Sequence, residues 1–144
     1  QEAERLLRGR LEELPLERVT LRGYDEEGRV VEIQVTEGGK QTELTVHLRD
    51  GQGRITETTR RGHLGVENWR FEYGPDETLV MEEYRVRGSL ERISRYSEQD
   101  GEPSRVDELY REGKPFMRVY YLSEQKVREE FLKGGEVVRM REFP

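Results

Sequence analysis

The 144-residue sequence contains no cysteine, which excludes disulfide bonds, thiolate zinc sites and cysteine nucleophiles. It also lacks a run of about 20 apolar residues, the length that a membrane-spanning helix needs. The only histidines are His47 and His63, and neither has partners at a metal-ligating or catalytic spacing. We therefore expect both to be surface residues, and we predict no catalytic residue, no metal site and no cofactor.

Apolar residues are scarce as well. Hydrophobic residues make up 32% of the chain and charged residues 39%, against about 45–50% and 25% in typical globular domains. A chain with so little core material is either disordered or forms a thin sheet, stabilised by backbone ladders and cross-strand side-chain pairs. The regular alternation described below favours the thin sheet.

The charge balance is acidic, with 31 acidic and 25 basic residues and a net charge of −6. Both signs are interleaved along the chain, so there is no basic stripe to neutralise phosphates, and we expect no nucleic-acid partner. The sequence starts at Gln1 without an initiator methionine. This suits either a mature exported chain after removal of a signal peptide or a sequence trimmed at its start. We favour the first reading, which predicts an extracytoplasmic protein: periplasmic, outer-envelope or secreted.

Helical spacing is present only in residues 1–15. The apolar residues there form one stripe at intervals of three or four: Ala3, Leu6, Leu7, Leu11 and Leu14. Pro15 cannot continue a helix. The sequence therefore predicts a short N-terminal helix.

From residue 16 onward the apolar period is two, and turn-forming clusters recur every few residues. We predict about eleven short strands: 16–24, 29–36, 43–49, 54–60, 68–73, 79–86, 90–96, 105–111, 116–122, 126–132 and 136–143. No connection is long enough for a parallel crossover, so the predicted fold is an all-β antiparallel meander. The sheet would be open, either as a single layer or as a half-barrel, and residues 1–144 would form one domain.

The predicted sheet has two unlike halves. Folding the strands of residues 16–73 at their turns pairs Ile33 with Val46 and Val35 with Leu44, which predicts an apolar patch. The strands of residues 79–144 carry charges of alternating sign, and the same procedure places them directly opposite one another. This charge ladder consists of Glu82, Arg92, Glu108, Arg118, Glu129 and Arg139.

Aromatic residues lie mostly on the predicted strands. Cross-strand packing accounts for such residues in general, but an incompletely covered aromatic row also favours docking of another protein. The candidate partner-binding surface comprises Trp69, Phe71, Tyr73, Tyr84, Tyr110, Phe116 and Phe131. The edge strands 16–24 and 136–143 could also pair with a second copy of the chain, although Arg139, Arg141 and Glu142 would discourage this.

Two predicted turns share the pattern Asp-x-x-Gly-Arg followed by Val or Ile. The first copy begins at Asp25 and the second at Asp50. An Asp side chain can cap such a turn and Gly permits a positive φ. Neither loop has the spacing of a calcium-binding loop. The pattern resembles the YD repeat of bacterial RHS-type proteins, in which each unit is a β-hairpin. The resemblance implies hairpin repeats and a bacterial cell-envelope or secreted setting, and it carries over no active site.

These observations predict a non-enzymatic structural or protein-interaction module that presents a sheet face or a sheet edge to another protein. The alternative is a periplasmic carrier of lipids or lipoproteins, built as an open half-barrel with an apolar concave face. The charge ladder argues against the carrier on the face where it lies.

Overall fold

The computed structural model describes residues 17–144, so the predicted N-terminal helix lies outside the described residues. Eleven antiparallel strands form one open sheet in chain order. The strands are β1 (Arg18–Tyr24), β2 (Val30–Glu37), β3 (Lys40–Arg49), β4 (Ile55–Gly62), β5 (Gly65–Tyr73), β6 (Leu79–Val86), β7 (Ser89–Gln99), β8 (Glu102–Arg111), β9 (Lys114–Leu122), β10 (Gln125–Lys133) and β11 (Glu136–Glu142). The predicted all-β antiparallel meander is thus confirmed, with its eleven strands.

Within the described residues the sheet is a single layer. Strands pack substantially only against the strands that precede and follow them in sequence, and no second sheet covers either face. Two faces can be distinguished from the register, because alternate residues of a strand point to opposite sides. We call them the enclosed face, which carries Val35, Ser94 and Val119, and the open face, which carries Leu21, Val46 and Met140.

The enclosed face holds nearly all of the buried side chains of the described chain. Five of its buried residues are polar or charged and two are aliphatic: Thr58, Glu67, Ser94, Asp107 and Glu129, with Val35 and Val119. Leu132 is the buried aliphatic residue of the opposite face. The chain, with its low content of hydrophobic residues, therefore folds as a thin sheet in which most of the buried positions are polar.

Turns of five residues join β1 to β2 and β3 to β4, and they have the same hydrogen bonds. In each, one carboxylate oxygen of the Asp accepts bonds from two backbone amides, and the other accepts from the Nε of the following Arg. The Arg29 Nε lies 3.2 Å from Asp25, and the Arg54 Nε lies 2.9 Å from Asp50. Gly28 and Gly53 have φ values of 79° and 83°, in the region that L-residues with side chains avoid. The shared sequence pattern is therefore a shared turn.

The two Asp turns are also attached to each other. The Arg29 guanidinium lies so close to Gly53 that a Cβ on that glycine would fall 1.8 Å from a guanidinium nitrogen. Arg49 donates from its Nη atoms to the carbonyls of Gly53 and Val30, at 2.8 Å in both cases. Neighbouring hairpins of the first half are thus braced at their turns.

Two-residue loops make all five connections from β6 to β11. In each, both loop residues have positive φ: Arg87 and Gly88, Asp100 and Gly101, Glu112 and Gly113, Ser123 and Glu124, Gly134 and Gly135. Such loops match the twist of the flanking strands and give tight hairpins. The second half of the sheet is therefore a series of tight hairpins without the Asp-capped turns of the first half.

Register shifts separate the observed pairing from the predicted one. A bulge between Val35 and Thr36 places Val35 opposite Glu43 and Ile33 opposite Thr45. Ile33 and Val35 therefore lie on the enclosed face, whereas Val46 lies on the open face. The predicted pairing of Ile33 with Val46 and of Val35 with Leu44 is wrong, because a one-residue slip moves a side chain to the other face.

Candidate interaction surface

A buried polar pair lies at the centre of the enclosed face between β7 and β8. Ser94 is 2% exposed, and its hydroxyl donates to the Asp107 carboxylate at 2.7 Å. The Arg105 Nε lies 3.1 Å from the same carboxylate. Nearby, the Tyr96 hydroxyl donates to Glu82 at 2.8 Å. Because buried polar groups are costly when unpaired, the bond from Ser94 to Asp107 favours this register of β7 and β8, and the bond from Tyr96 to Glu82 connects β7 to β6.

A second polar cluster on this face links β4, β5 and β6. Glu67 is 4% exposed and accepts hydrogen bonds from Arg60, at 2.7 Å and 2.9 Å, and from the Tyr84 hydroxyl. Burial raises the pKa of the Glu67 carboxyl, but the bonds from Tyr84 and Arg60 outweigh it, so the pKa lies below its usual value. Burial and the bond to Glu67 raise the pKa of Tyr84 to about 12. Glu67 thus stays an acceptor and Tyr84 a donor at neutral pH.

The open face carries a matching trio on β8 and β9. Glu108 accepts from the Arg118 Nε at 2.8 Å and from the Tyr110 hydroxyl. Burial raises the Glu108 pKa, whereas the hydrogen bonds from Tyr110 and Arg118 lower it, and the net effect is a pKa below the usual value. Burial and the bond to Glu108 raise the Tyr110 pKa to about 12. Neither residue is tuned for proton transfer near neutral pH, which requires a pKa close to the working pH.

Cations stack on aromatic rings throughout the sheet. Contacts of this kind occur about once per 70–80 residues in protein structures, and at least nine are present in residues 17–144. In the two closest contacts, Arg105 over Tyr121 and Arg128 over Tyr120, the guanidinium carbon lies 4.1 Å from the ring centre. The aliphatic stems and guanidinium planes of arginine therefore cover rings that a second protein layer would otherwise cover.

The candidate partner-binding aromatic residues do not form one row. Trp69, Phe71, Tyr84 and Phe131 are on the enclosed face, whereas Tyr110 and Phe116 are on the open face. Tyr73 lies at the end of β5, where its hydroxyl donates to the Ile55 carbonyl at 2.7 Å and Arg54 stacks on its ring. All seven are half-buried. Their role in partner binding remains a prediction, and the structure divides them between two surfaces.

The charge ladder has a different register from the predicted one. Glu108 and Arg118 are directly opposite each other, as the sequence pattern indicates. The next residue opposite Arg118 is Glu130 rather than Glu129, and the ionic contact there is 3.9 Å. A bulge near the start of β10 shifts the pairing by one residue.

Elsewhere the ladder is interrupted. Glu82 and Arg92 are not opposite each other but meet diagonally, at 3.5 Å. Arg92 is on the enclosed face and Glu108 on the open face, so they cannot face one another. Glu129 and Arg139 also miss direct opposition, because Glu129 pairs with Arg141. A continuous row of alternating charge is therefore wrong, and it is replaced by short networks on both faces.

A depression of about 500 Å³ lies between β7 and β11. Its polar walls include Ser97, Ser104, Arg128 and Glu142. The Ser97 and Ser104 hydroxyls bond to each other at 2.8 Å, and the Glu142 carboxylate lines the depression beside Arg128. The two hydroxyls already bond to each other, and Arg128 and Glu142 carry opposite charges. The lining of the depression therefore does not select one class of ligand.

The β11 edge is the most exposed strand of the second half. All seven of its residues are exposed, and Val138 and Met140 are 61% and 53% exposed on the open face. In the described sheet β11 pairs with β10 on one side only. Its outward backbone N–H and C=O groups therefore have no strand partner in the described part of the chain.

Two arginines of β11 have no carboxylate partner in the described residues, as is also true of Arg61 and Arg95 on the interior strands β4 and β7. On the enclosed face, Arg60, Arg92 and Arg105 each have a carboxylate oxygen within 4 Å. Arg139 and Arg141 have none among residues 17–144. Although Glu129 lies opposite Arg141, the salt bridge of that carboxylate is to Lys126, at 3.3 Å. Their guanidinium groups contact rings instead, Arg139 over Phe131 at 4.3 Å and Arg141 over Phe143 at 5.7 Å from the ring centre. In the described part of the chain the edge thus presents two positive charges without a carboxylate partner.

The open face of the first half also exposes apolar side chains. Leu21 and Leu48 are 56% and 54% exposed, and Val19 and Val46 are exposed beside them. Polar residues interrupt this patch, since Gln34 lies between β1 and β3 on the same face. The patch is therefore apolar in parts but not continuous.

Sequence reasoning missed the enclosed pair Ser94 and Asp107. A serine within a strand gives no sign in the sequence that its side chain is buried. Asp107 lies on β8 among other charged residues, so the sequence does not distinguish it from a solvent-facing residue. The exposed edge of β11, in contrast, follows directly from its position as the last predicted strand.

Residues 17–144 contain no cluster of His, Asp and Glu side chains placed to hold a metal ion. The same residues include no helix of the length and apolarity needed to cross a bilayer. No model of a known protein family matches the chain, and no curated protein matches it in sequence.

Proposed function

We propose that this protein is a non-enzymatic interaction module that binds a partner protein by strand addition at the β11 edge. The observation that carries the proposal is the exposure of all seven β11 residues on an edge with no strand partner in the described sheet. An extended segment that pairs with such an edge gains main-chain hydrogen bonds, and the flanking side chains supply specificity.

The chemistry of the two faces supports an interaction role over catalysis. The carboxylates of Glu67 and Glu108 are held ionised by arginine and tyrosine donors, and the tyrosines that donate to them keep a pKa of about 12. Groups fixed in one protonation state suit a rigid scaffold. The resemblance of the Asp25 and Asp50 turns to YD repeats supports a bacterial cell-envelope or secreted setting for the same module.

The test of this proposal blocks the edge without touching the rest of the sheet. Lysine on an edge strand opposes further strand pairing, so the double variant Val138→Lys with Met140→Lys should lose a partner that co-purifies with the wild type. Arg61→Glu, an exposed change on the interior strand β4, is the matched control and should retain that partner. Retention of the partner by the blocked edge would contradict the proposal.

A carrier of lipids or lipoproteins is the second candidate, and the exposed Leu21, Val46 and Leu48 on the open face favour it. Native mass spectrometry of protein purified gently from its own host separates the two. A bound acyl species of defined mass would favour the carrier, whereas a chain that carries only a protein partner would favour the interaction module.

A further inference from the structure

The positive charges of β11 indicate the chemistry of the strand that this edge would accept. Arg139 and Arg141 project from the enclosed face and lack a carboxylate within 4 Å in the described part of the chain, while Val138 and Met140 project from the open face. Residues directly opposite in an antiparallel pair have Cβ atoms about 4.5–5.5 Å apart. A partner strand would therefore place two of its side chains against these guanidinium groups.

We propose that β11 selects an acidic, alternating strand: two carboxylates separated by one residue, facing Arg139 and Arg141, with aliphatic residues between and beside them. The inference rests on the proposed function, since it specifies the partner of the same edge. Two of the interior arginines supply the precedent. Arg60 and Arg118 each cross to a carboxylate on the neighbouring strand, at 2.7 Å and 2.8 Å.

The aliphatic positions follow from the other face. Val138 and Met140 are more than half exposed, and aliphatic side chains opposite them would remove that surface from water. Alternation then sets the register, because a slip of one residue would bring carboxylates against Val138 and Met140.

In the register centred on Arg139, a second copy of this chain is a poorer occupant of the edge than a strand of opposite charge. Two antiparallel copies of β11 centred on Arg139 would place Arg139 against Arg139 and Glu136 against Glu142. Both pairings bring like charges together directly across the strands, which is unfavourable.

The test uses the full chain and two fluorescein-labelled peptides. One contains Val-Glu-Val-Glu-Val and the other Val-Lys-Val-Lys-Val, both with identical polar flanks. Fluorescence anisotropy gives the affinity, and amide hydrogen exchange shows whether β11 becomes protected. We expect the acidic peptide to bind about tenfold or more tightly than the basic one, with protection confined to β10 and β11.

Charge reversal adds a second measurement. The double variant Arg139→Glu with Arg141→Glu should reverse the preference, while Arg61→Glu should leave it unchanged. Because the comparison of the two peptides on the wild type stands alone, a double variant that fails to fold would not remove the test.

The outcomes separate this inference from the proposed function. If both peptides bind equally and protect β11, the edge accepts strands but does not select charge, and only the acidic-strand inference is overturned. If neither peptide protects β11, strand addition at this edge is overturned as well. Binding of the acidic peptide without protection of β11 would place the interaction elsewhere and would also overturn the inference.

Discussion

The first five strands and the last six compensate for the scarcity of apolar residues in different ways. In the first half, Asp-capped turns are braced to one another through Arg29 and Arg49. In the second half, tight two-residue loops leave the hairpins to be held by side chains that cross between strands, as in the pair of Ser94 and Asp107.

The comparison shows that side chains crossing between strands stabilise both halves, as Arg60 with Glu67 and Ser94 with Asp107 do, whereas bracing at the Asp-capped turns is added only in the first half. Since each strand packs mainly against its two neighbours, the two halves can respond separately to a mutation, as in other quasi-one-dimensional proteins. Native-state amide exchange can therefore report on each half by itself.

The largest expected effect is the loss of the enclosed polar pair. Asp107→Ala leaves the Ser94 hydroxyl and Arg105 without their partner, and we expect the free energy of unfolding to fall by about 2–4 kcal/mol. Exchange should accelerate in residues 79–142 more than in 18–73. Glu98→Ala, an exposed change on the adjacent strand β7, is the control and should have little effect. Equal acceleration in both halves would contradict the separation of the halves.

Acid should destabilise both halves through their lowered carboxyl pKa values. Glu67 and Glu108 titrate below the ordinary glutamate pKa of about 4.3. Their stabilisation is therefore fully present above that pH and is lost as the pH falls through the lower folded-state values. Glu67→Gln and Glu108→Gln should each lower the melting temperature at pH 7. In each variant the melting temperature should also decrease less than in the wild type as the pH is lowered. The control Glu98→Gln should show the same decrease of melting temperature in acid as the wild type. If the melting temperature depended on pH identically in the wild type and all three variants, this mechanism would be excluded.

A pair of glycine variants tests the bracing of the turns. Gly28→Ala and Gly53→Ala both force alanine into a positive φ, which costs about 1–2 kcal/mol. Gly53→Ala should cost more in unfolding free energy, because its Cβ would displace the Arg29 guanidinium, whereas nothing lies within 4 Å of the Cβ position at Gly28. Equal losses in chemical denaturation would show that Arg29 does not brace the second turn.

The smallest effect should be a gain. Glu77 has φ of 67° and occupies, in the turn between β5 and β6, the position that Gly28 and Gly53 hold in the other two five-residue turns. Glu77→Gly should relieve this conformation and raise the unfolding free energy by about 0.5–1 kcal/mol, net of the entropy cost of glycine. Glu72→Gly, within β5, should instead lower it. A loss in both variants would mean that the positive φ of Glu77 carries no strain.

The strands could be located from sequence because their boundaries are set by local turn chemistry. The predicted strand 79–86 coincides with β6, and 116–122 lies within β9. The register could not be obtained in the same way, because bulges add one residue at positions that local sequence does not mark, as at Val35 and Thr36. Each bulge reverses which face the following residues occupy. Between β7 and β8 there is no bulge, and the position of the two-residue loop at Asp100 and Gly101 places Arg92 opposite Leu109 instead of Glu108. Loop positions that differ by one residue from the predicted ones therefore change the face in the same way.

The candidate site was partly predictable for the same reason. The edge position of β11 and its arginines depend only on strand order, which sequence conveys well. The division of the aromatic residues between two faces depends on the register summed over many strands, and the sequence does not convey that register. The covering of rings by arginine stems is a further property that only the three-dimensional arrangement reveals.

The odd number of strands constrains how this sheet could grow. In an eleven-strand antiparallel meander the first and last strands run in the same direction. Copies stacked head to tail in one orientation would therefore meet through a parallel seam, unlike every junction inside the sheet. An antiparallel seam requires a two-fold axis that joins like edges, β1 with β1 or β11 with β11. Two copies joined in this way leave two edges of the other kind open, so the strand count of the described sheet sets the strand direction at each seam and not the number of copies.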